Sequence, residues 1–222
     1  MSTYYVEIQK AVNSALEEMA AEHQKGRLIN AAASNTHFLV RWVTKSLKSH
    51  RFDRCIVPDL TRWQKSGRSK GTDVGLQTTF ENISALYNQL VPLDQPVKPV
   101  IDKEIDAFLD FMDEQNWSVS TEFELTGKGK VQILTEGDSS LVLCAEQCDS
   151  CFDGGEELVK PMSWYVRGNH AEFVRLAVEQ GYLVHKVTDY KSIVKYHGEY
   201  LVFPNNHANQ LAEIPIGFSK KA

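Results

Sequence analysis

The stretch "FMDEQNWSVSTEFEL", Phe111 to Leu125, decides the fold, because the spacing of apolar residues changes at Trp117. Before Trp117 apolar side chains recur every three or four positions, which is the period of a helix. After it they alternate with polar side chains, which is typical of a strand. We therefore predict an α+β protein, with an N-terminal all-helical domain at residues 1–117 and an α+β domain at residues 118–222.

Four helices are predicted in the first domain. The first ends at Gly26, the second begins at the polar cluster Ser34–Thr36, and the third spans about Leu76–Leu90. The fourth begins near Ile101, after three prolines that form a stiff connector. His37, at the start of the second helix, is expected to cap or pack this helix.

The second domain is predicted to contain a mostly antiparallel sheet with one packed helix. "SVSTEFEL" and "KVQIL", separated by the turn residues "TGKG", are expected to form a hairpin, and "SLVLCA" a third strand. "SWYVR" and "GYLVHKV" are strands on either side of a helix from about His170 to Gln180. "SIVKY" and "EYLVF", joined by "HG", are expected to form a second hairpin.

Composition indicates an ordinary globular chain. Of its 222 residues, 42% are hydrophobic and 24% charged, which is enough apolar material for a core. No stretch approaches the roughly 20 consecutive apolar residues that span a bilayer, and the N-terminus lacks the pattern of a signal peptide. Three of the four cysteines are crowded together, unlike a secreted disulfide framework. We therefore expect a cytoplasmic protein.

The crowded cysteines, Cys144, Cys148 and Cys151, form the octapeptide "CAEQCDSC". Their spacing matches the cysteines that bind a four-iron cluster in radical S-adenosylmethionine enzymes. Those enzymes carry the motif early in a large barrel, usually with an aromatic residue before the last cysteine, where this chain has Ser150. A zinc site is an alternative, because the two-residue gap between Cys148 and Cys151 lets one turn present two thiolates.

Further ligands for zinc could come from Cys55, His170 or His185. His170 and Glu172 also match the residue types of zinc deaminases, although in reverse order relative to the cysteines. The simplest explanation is structural: Cys144 is a buried strand residue and the other two cysteines lie in a reduced loop. We expect no cofactor, with zinc or an iron–sulfur cluster at Cys144, Cys148 and Cys151 as the alternative.

A stronger signal is the basic segment Arg41–Lys70, which holds nine basic residues and two acidic ones, a balance of plus seven in a chain of net charge −5. Helical spacing places Arg41, Lys45 and Lys48 in one stripe, and the following "RWQKSGRSKG" is predicted to be a glycine-containing loop suited to phosphate. Alternatively, these cations are only solvated, or dock on the acidic fourth helix. The residues expected to contact nucleic acid are Arg41, Lys45, Lys48, Arg62, Trp63, Lys65, Arg68 and Lys70.

Residues Ser34 to Gly71, "SNTHFLVRWVTKSLKSHRFDRCIVPDLTRWQKSGRSKG", carry a resemblance to a known family. This segment resembles the core of domain of unknown function 2913, an uncharacterised bacterial family. There a similar histidine, aromatic and arginine-tryptophan helix leads into a basic stretch and a further helix. The resemblance implies no activity, cofactor or catalytic residue.

The sequence favours a non-catalytic protein that contacts nucleic acid through a basic helix and loop. It contains no GxSxG, no GK[ST] phosphate-binding loop and no HExxH motif, each of which would indicate a class of enzyme. Two alternatives stay open: an adaptor whose basic face binds an acidic protein or a second copy of the chain, and a metal-binding protein. No membrane partner is expected.

Overall fold

A computed structural model describes residues 3–125, 129–154 and 156–218. The chain divides between Leu93 and Asp94 into two compact units, of which the second is Asp94–Gly217. Five α-helices precede Trp117 and five strands follow it, as the change of period in the sequence predicts, so the α+β class is confirmed. Within the described residues, no helix is both long and apolar enough to cross a bilayer.

Four α-helices build the first unit. They are α1 (Tyr4–Gln24), α2 (Ala32–Lys48), α3 (Val57–Lys70) and α4 (Leu76–Leu90). Short 3₁₀ turns, Arg54–Ile56 and Gly71–Val74, precede and follow α3. α1 packs on α4 and α2 packs on α3, so that Ile8, Leu39 and Phe80 are buried. The three helices predicted for this region are confirmed as α1, α2 and α4.

The prediction that "RWQKSGRSKG" forms a loop is wrong, because most of this segment belongs to α3. Pro58 lies in the first turn of this helix, where a missing backbone N–H costs nothing. Leu60 and Trp63 then bury their side chains one turn apart. Trp63, predicted to be available for stacking on a ligand, is only 4% exposed and contacts the ring of Phe80 at 4.6 Å between centroids.

Gly67 sets how closely α3 approaches α2. A Cβ atom at this position would overlap a methyl group of Val40. Gly67 is itself buried, and its backbone is helical despite the low helix propensity of glycine. The missing side chain therefore permits a close helix–helix contact that any larger residue would prevent.

The second unit contains a five-stranded sheet with helices. Its elements are α5 (Asp102–Glu114), β1 (Ser118–Phe123), β2 (Ser140–Cys144), α6 (Ala145–Ser150), β3 (Met162–Arg167), α7 (His170–Glu179), β4 (Val184–Thr188) and β5 (Gly198–Val202). The strand order is β1-β2-β3-β5-β4. β1 and β2 are parallel, and the other pairs are antiparallel.

Neither predicted hairpin forms. β1 pairs in parallel with β2, while Val131 of "KVQIL" makes an isolated bridge to Val194; part of the predicted turn, residues 126–128, lies outside the described residues. "SIVKY" is not a strand, because the Ser192 hydroxyl lies within hydrogen-bond distance of the carbonyl oxygens of Val194 and His197, both at 2.8 Å, and closes a tight loop. β5 pairs instead with β3 and β4.

Helix α5 belongs to the second unit, although the sequence assigned it to the helical domain that ends at Trp117. Its apolar side chains Ile105, Phe108 and Met112 are buried in the same cluster as the strands. The Phe108 ring stacks on Trp164 of β3 at 5.1 Å between centroids. The boundary between the units therefore precedes α5, because this amphipathic helix buries its apolar face on the sheet.

His185 lies in the interior of the second unit, on β4. Its side chain is 0% exposed, and its ring makes an edge contact with Phe203. Burial lowers the pKa of His185 from 6.5 to about 4, and the nearby backbone of Gln210 and Leu211 offsets only part of this shift. The folded unit therefore holds this imidazole in its neutral form.

Acid should destabilise the protein through His185. The folded-state pKa lies below the ordinary value of 6.5, so the stabilising contribution of the neutral ring is complete above pH 6.5 and is lost as the pH falls towards 4. Between pH 7 and pH 4.5 the free energy of unfolding should fall in both proteins. We expect the fall to be about 2.5 kcal/mol smaller in His185→Leu than in the unchanged protein. Urea unfolding at both pH values measures this difference.

The control for this prediction is His50→Asn, which removes an exposed histidine at a positive φ of 49° that asparagine tolerates. This variant should keep the acid sensitivity of the unchanged protein. If His185→Leu and His50→Asn respond to acid alike, the buried imidazole is not the source of the sensitivity.

Gly67→Ala should destabilise the first unit. Alanine raises helix propensity by up to about 1 kcal/mol, but the overlap with Val40 should cost about 1–3 kcal/mol. Adding Val40→Ala removes the overlapping methyl group. The stability loss of the double variant should therefore be smaller than the sum of the losses of the two single variants. Ser69→Ala, on an exposed position of α3, is the control, and a stabilised Gly67→Ala protein would contradict the close approach.

Candidate nucleic-acid interface

A groove of about 860 Å³ lies between α2, α3 and the turn that follows α3. Ala33, Val40 and Gly67 give it an apolar floor. Five basic side chains line its walls: His37, Arg41, Lys45, Lys48 and Arg68. The groove therefore combines an apolar base with a cationic rim, which is a surface suited to an anionic ligand with apolar parts.

The spacing of α2 places four of these basic residues in a row. His37, Arg41, Lys45 and Lys48 follow one another at intervals of four, four and three, so they share one helix face. All four are exposed, whereas Trp42 and Val43 are buried on the other side of the helix. With a rise of about 1.5 Å per residue, neighbouring residues in the row are about 4.5–6 Å apart along the helix axis.

The groove is electrostatically one-sided. Among its described lining residues there is no aspartate or glutamate. None of the salt bridges between described residues involves Arg41, Lys45, Lys48 or Arg68. Positive side chains that line one groove without carboxylates beside them make its electrostatic potential positive, and the groove therefore attracts anions.

Arg68 reaches the groove from α3, and Thr44 of α2 helps to hold it there. The Thr44 hydroxyl donates to the Val40 carbonyl oxygen at 2.7 Å. It accepts a hydrogen bond from Gln64 at 2.8 Å and one from the Arg68 guanidinium at 3.2 Å. Thr44 is therefore a positioning residue that connects the two walls.

The remaining predicted contact residues do not line the groove. Arg62 forms an ion pair with Asp59 at 2.6 Å, and the same carboxylate accepts a hydrogen bond from the Tyr4 hydroxyl at 2.6 Å. Lys65 and Lys70 are exposed on α3 outside the lining. The structure thus brings together Arg41, Lys45, Lys48 and Arg68 of the residues predicted to contact nucleic acid.

Two groove residues were missed from the sequence as ligand contacts. His37 was expected to cap or pack α2, but it is exposed and α2 begins without a side-chain cap. It stands four residues before Arg41 on the same face, and this spacing was the available signal. Thr44 had no such signal, because its partners Gln64 and Arg68 come from another helix.

The cysteine cluster is divided by the sheet. Cys144 ends β2 and packs with Val142 and Tyr165, and its sulfur accepts a hydrogen bond from the backbone N–H of Leu125 at 3.4 Å. Cys148 and Cys151 pack in the other cluster, on the side of α5 and α7. The side chain of Cys144 therefore packs in a different apolar cluster from those of Cys148 and Cys151.

Burial keeps the two helix-side thiols in their protonated form. Burial raises the pKa of Cys148 to about 11, and it raises that of Cys151 as well. The described part of the chain contains no group of three or more His, Cys, Asp or Glu residues that could hold a metal ion.

The other proposed metal ligands have separate surroundings. Cys55 is in the first unit, where burial raises its pKa to about 11. The Nδ1 atom of His170 hydrogen-bonds to the Tyr200 hydroxyl at 2.8 Å, and Glu172 lies near Arg175 on α7. His185 is enclosed in the core. The structure therefore does not assemble the three-cysteine site or a deaminase-like site.

Ser140 and His197 form a buried pair that the sequence did not indicate. The Lys195 carbonyl oxygen lies 2.9 Å from Nδ1 of His197, so Nδ1 carries the proton and Nε2 accepts from the Ser140 hydroxyl at 2.9 Å. This resembles a nucleophile and its base. However, Ser140 is 0% exposed, and its oxygen also accepts from Arg167. The pair is therefore a structural network that connects strands, closed to a substrate.

The comparisons with known proteins extend the family resemblance beyond the basic segment. Neither a curated protein nor a solved structure matches the chain. A family model described as "Protein of unknown function (DUF2913)" matches residues 3–215. This range includes every described helix and strand of both units. The chain therefore belongs to the DUF2913 family.

Proposed function

We propose that this protein is a non-catalytic binding protein of the bacterial cytoplasm that contacts DNA or RNA through the groove between α2 and α3. The observation that carries the proposal is the convergence of Arg41, Lys45, Lys48 and Arg68 on one groove without a carboxylate among its described lining residues. Phosphate groups are the ligands that such a set of unpaired cations attracts most strongly.

The length of the cationic row favours a polyanion over a single phosphate. From Arg41 to Lys48 the α2 backbone rises about 10 Å, given about 1.5 Å per residue. One phosphate can contact only one or two side chains of such a row. A nucleic-acid strand carries regularly spaced phosphates and can contact every cation of the row.

The charge of the whole chain sets the expected strength of binding. The net charge is −5, so the residues outside Arg41–Lys70 carry an excess of acidic groups. Attraction is therefore local to the groove and is opposed at longer range. We expect binding that is clear at low ionic strength and weakens steeply with salt, because added ions screen the groove and compete for the phosphates.

The first test compares two double variants with the same change of charge. Arg41→Glu/Lys45→Glu reverses two groove cations, whereas Lys65→Glu/Lys70→Glu reverses two exposed cations outside the lining. We expect the groove pair to weaken binding to labelled 20-base-pair DNA and RNA by more than about 10-fold, since each lost phosphate contact is replaced by repulsion. The control pair should change binding by less than about 3-fold.

Fluorescence anisotropy over a range of salt concentrations measures both effects. About four phosphate contacts predict a slope near −3.6 for the logarithm of the association constant against the logarithm of salt concentration. The proposal is overturned if neither nucleic acid binds at low salt, or if both variant pairs lose binding equally. Salt-sensitive binding to poly-glutamate without binding to nucleic acid would identify an acidic protein as the partner instead.

A further inference from the structure

We propose, on the basis of the function above, that the groove holds one sugar-phosphate strand of a double helix and leaves the base pairs outside. The partner would then be duplex DNA or RNA, bound with little regard to base sequence. Three features of the groove support this inference: the burial of the nearby aromatic rings, the arrangement of floor and rim, and the chemistry of the polar side chains.

The two tryptophans of the basic segment are turned away from the surface. Trp63 packs on Phe80, and Trp42 is 6% exposed beneath the guanidinium of Arg51, which lies 5.1 Å from the indole centroid. Among the described residues that line the groove there is no Phe, Tyr or Trp. Proteins that bind single strands without sequence preference stack the bases on exposed aromatic side chains. This groove offers no such platform.

The floor and rim match the cross-section of a nucleic-acid backbone. The sugar of each nucleotide is largely apolar and has a phosphate on either side along the strand. Val40 and Gly67 form an apolar floor that can contact the sugars. Arg41 on the α2 wall and Arg68 on the α3 wall can approach phosphates of one strand from opposite sides. A strand lying along the groove therefore meets both surfaces at once.

The groove lacks the side chains that read the edges of adenine and cytosine. Asn and Gln recognise adenine, and Asp and Glu accept from cytosine. None of these residue types occurs among the described lining residues. The Thr44 hydroxyl already has Val40, Gln64 and Arg68 as partners, so it is not available to a base. Contacts to the backbone alone position a duplex without specifying its sequence.

The test uses three labelled probes of equal length: a 20-base-pair DNA duplex, a 20-base-pair RNA duplex and a 20-nucleotide single strand that cannot pair with itself. Anisotropy at low salt should give a duplex affinity at least about 5-fold higher than the single-strand affinity. The bases of a duplex already stack on one another, whereas a single strand gains affinity from aromatic side chains that this groove lacks. A duplex of different sequence should bind within about 2-fold. The DNA and RNA arms identify which duplex is preferred.

A second variant tests the missing platform directly. His37→Trp places a large ring on an exposed groove position. It should raise the ratio of single-strand affinity to duplex affinity by about 5-fold or more, since one stacked base contributes measurably to single-strand binding. Ser69→Trp, on an exposed position of α3 outside the groove lining, is the control and should change neither affinity.

The outcomes separate this inference from the proposed function. If the single strand binds as tightly as the duplexes and Arg41→Glu/Lys45→Glu weakens both, the groove binds nucleic acid but the inference of a duplex is wrong. If the affinity changes strongly with duplex sequence, the inference of backbone contact alone is wrong. If none of the three probes binds, both the function and the inference are overturned.

Discussion

The groove depends on the contact between Gly67 of α3 and Val40 of α2. Because Gly67 has no Cβ, the two helices approach closely enough for Thr44 on one helix to receive hydrogen bonds from Gln64 and Arg68 on the other. A larger residue would separate the helices and with them the two walls. The same glycine that looks like a loop residue in the sequence is therefore what joins the cations of α2 and α3 into one surface.

The basic segment has two roles that its composition does not distinguish. Some of its cations stabilise the fold of the first unit: Arg51 pairs with Glu18 of α1 at 2.6 Å, and Arg62 pairs with Asp59, which also binds Tyr4 of α1. These pairs neutralise charge on the side of α2 and α3 that faces α1. The cations that line the groove have no such partners among the described residues. Four of the nine basic residues of the segment, Arg41, Lys45, Lys48 and Arg68, are thus left in the groove, where a ligand can reach them.

Local patterns predicted most helices and failed where distant contacts decide. Apolar residues at steps of three and four suffice for α1, α2 and α4, since this period describes a single helix. α3 was missed because "QKSGRSK" is polar and contains glycine, and only its packing on α2 and α4 makes the helix favourable. The parallel pairing of β1 with β2 was also missed. Alternation shows that a strand has two faces, but it does not identify the neighbouring strand.

The candidate sites show how poorly separation along the chain measures separation in space. Cys144, Cys148 and Cys151 lie within eight letters of sequence, yet β2 ends at Cys144 with its thiol on one face of the sheet while the next turn packs on the other. Arg41 and Arg68 are on different helices and still line one groove. Residues that are close in sequence can be expected to share one surface when they lie on one helix face, as Arg41, Lys45 and Lys48 do. Where a strand end or a second helix intervenes, tertiary packing decides which side chains can act together.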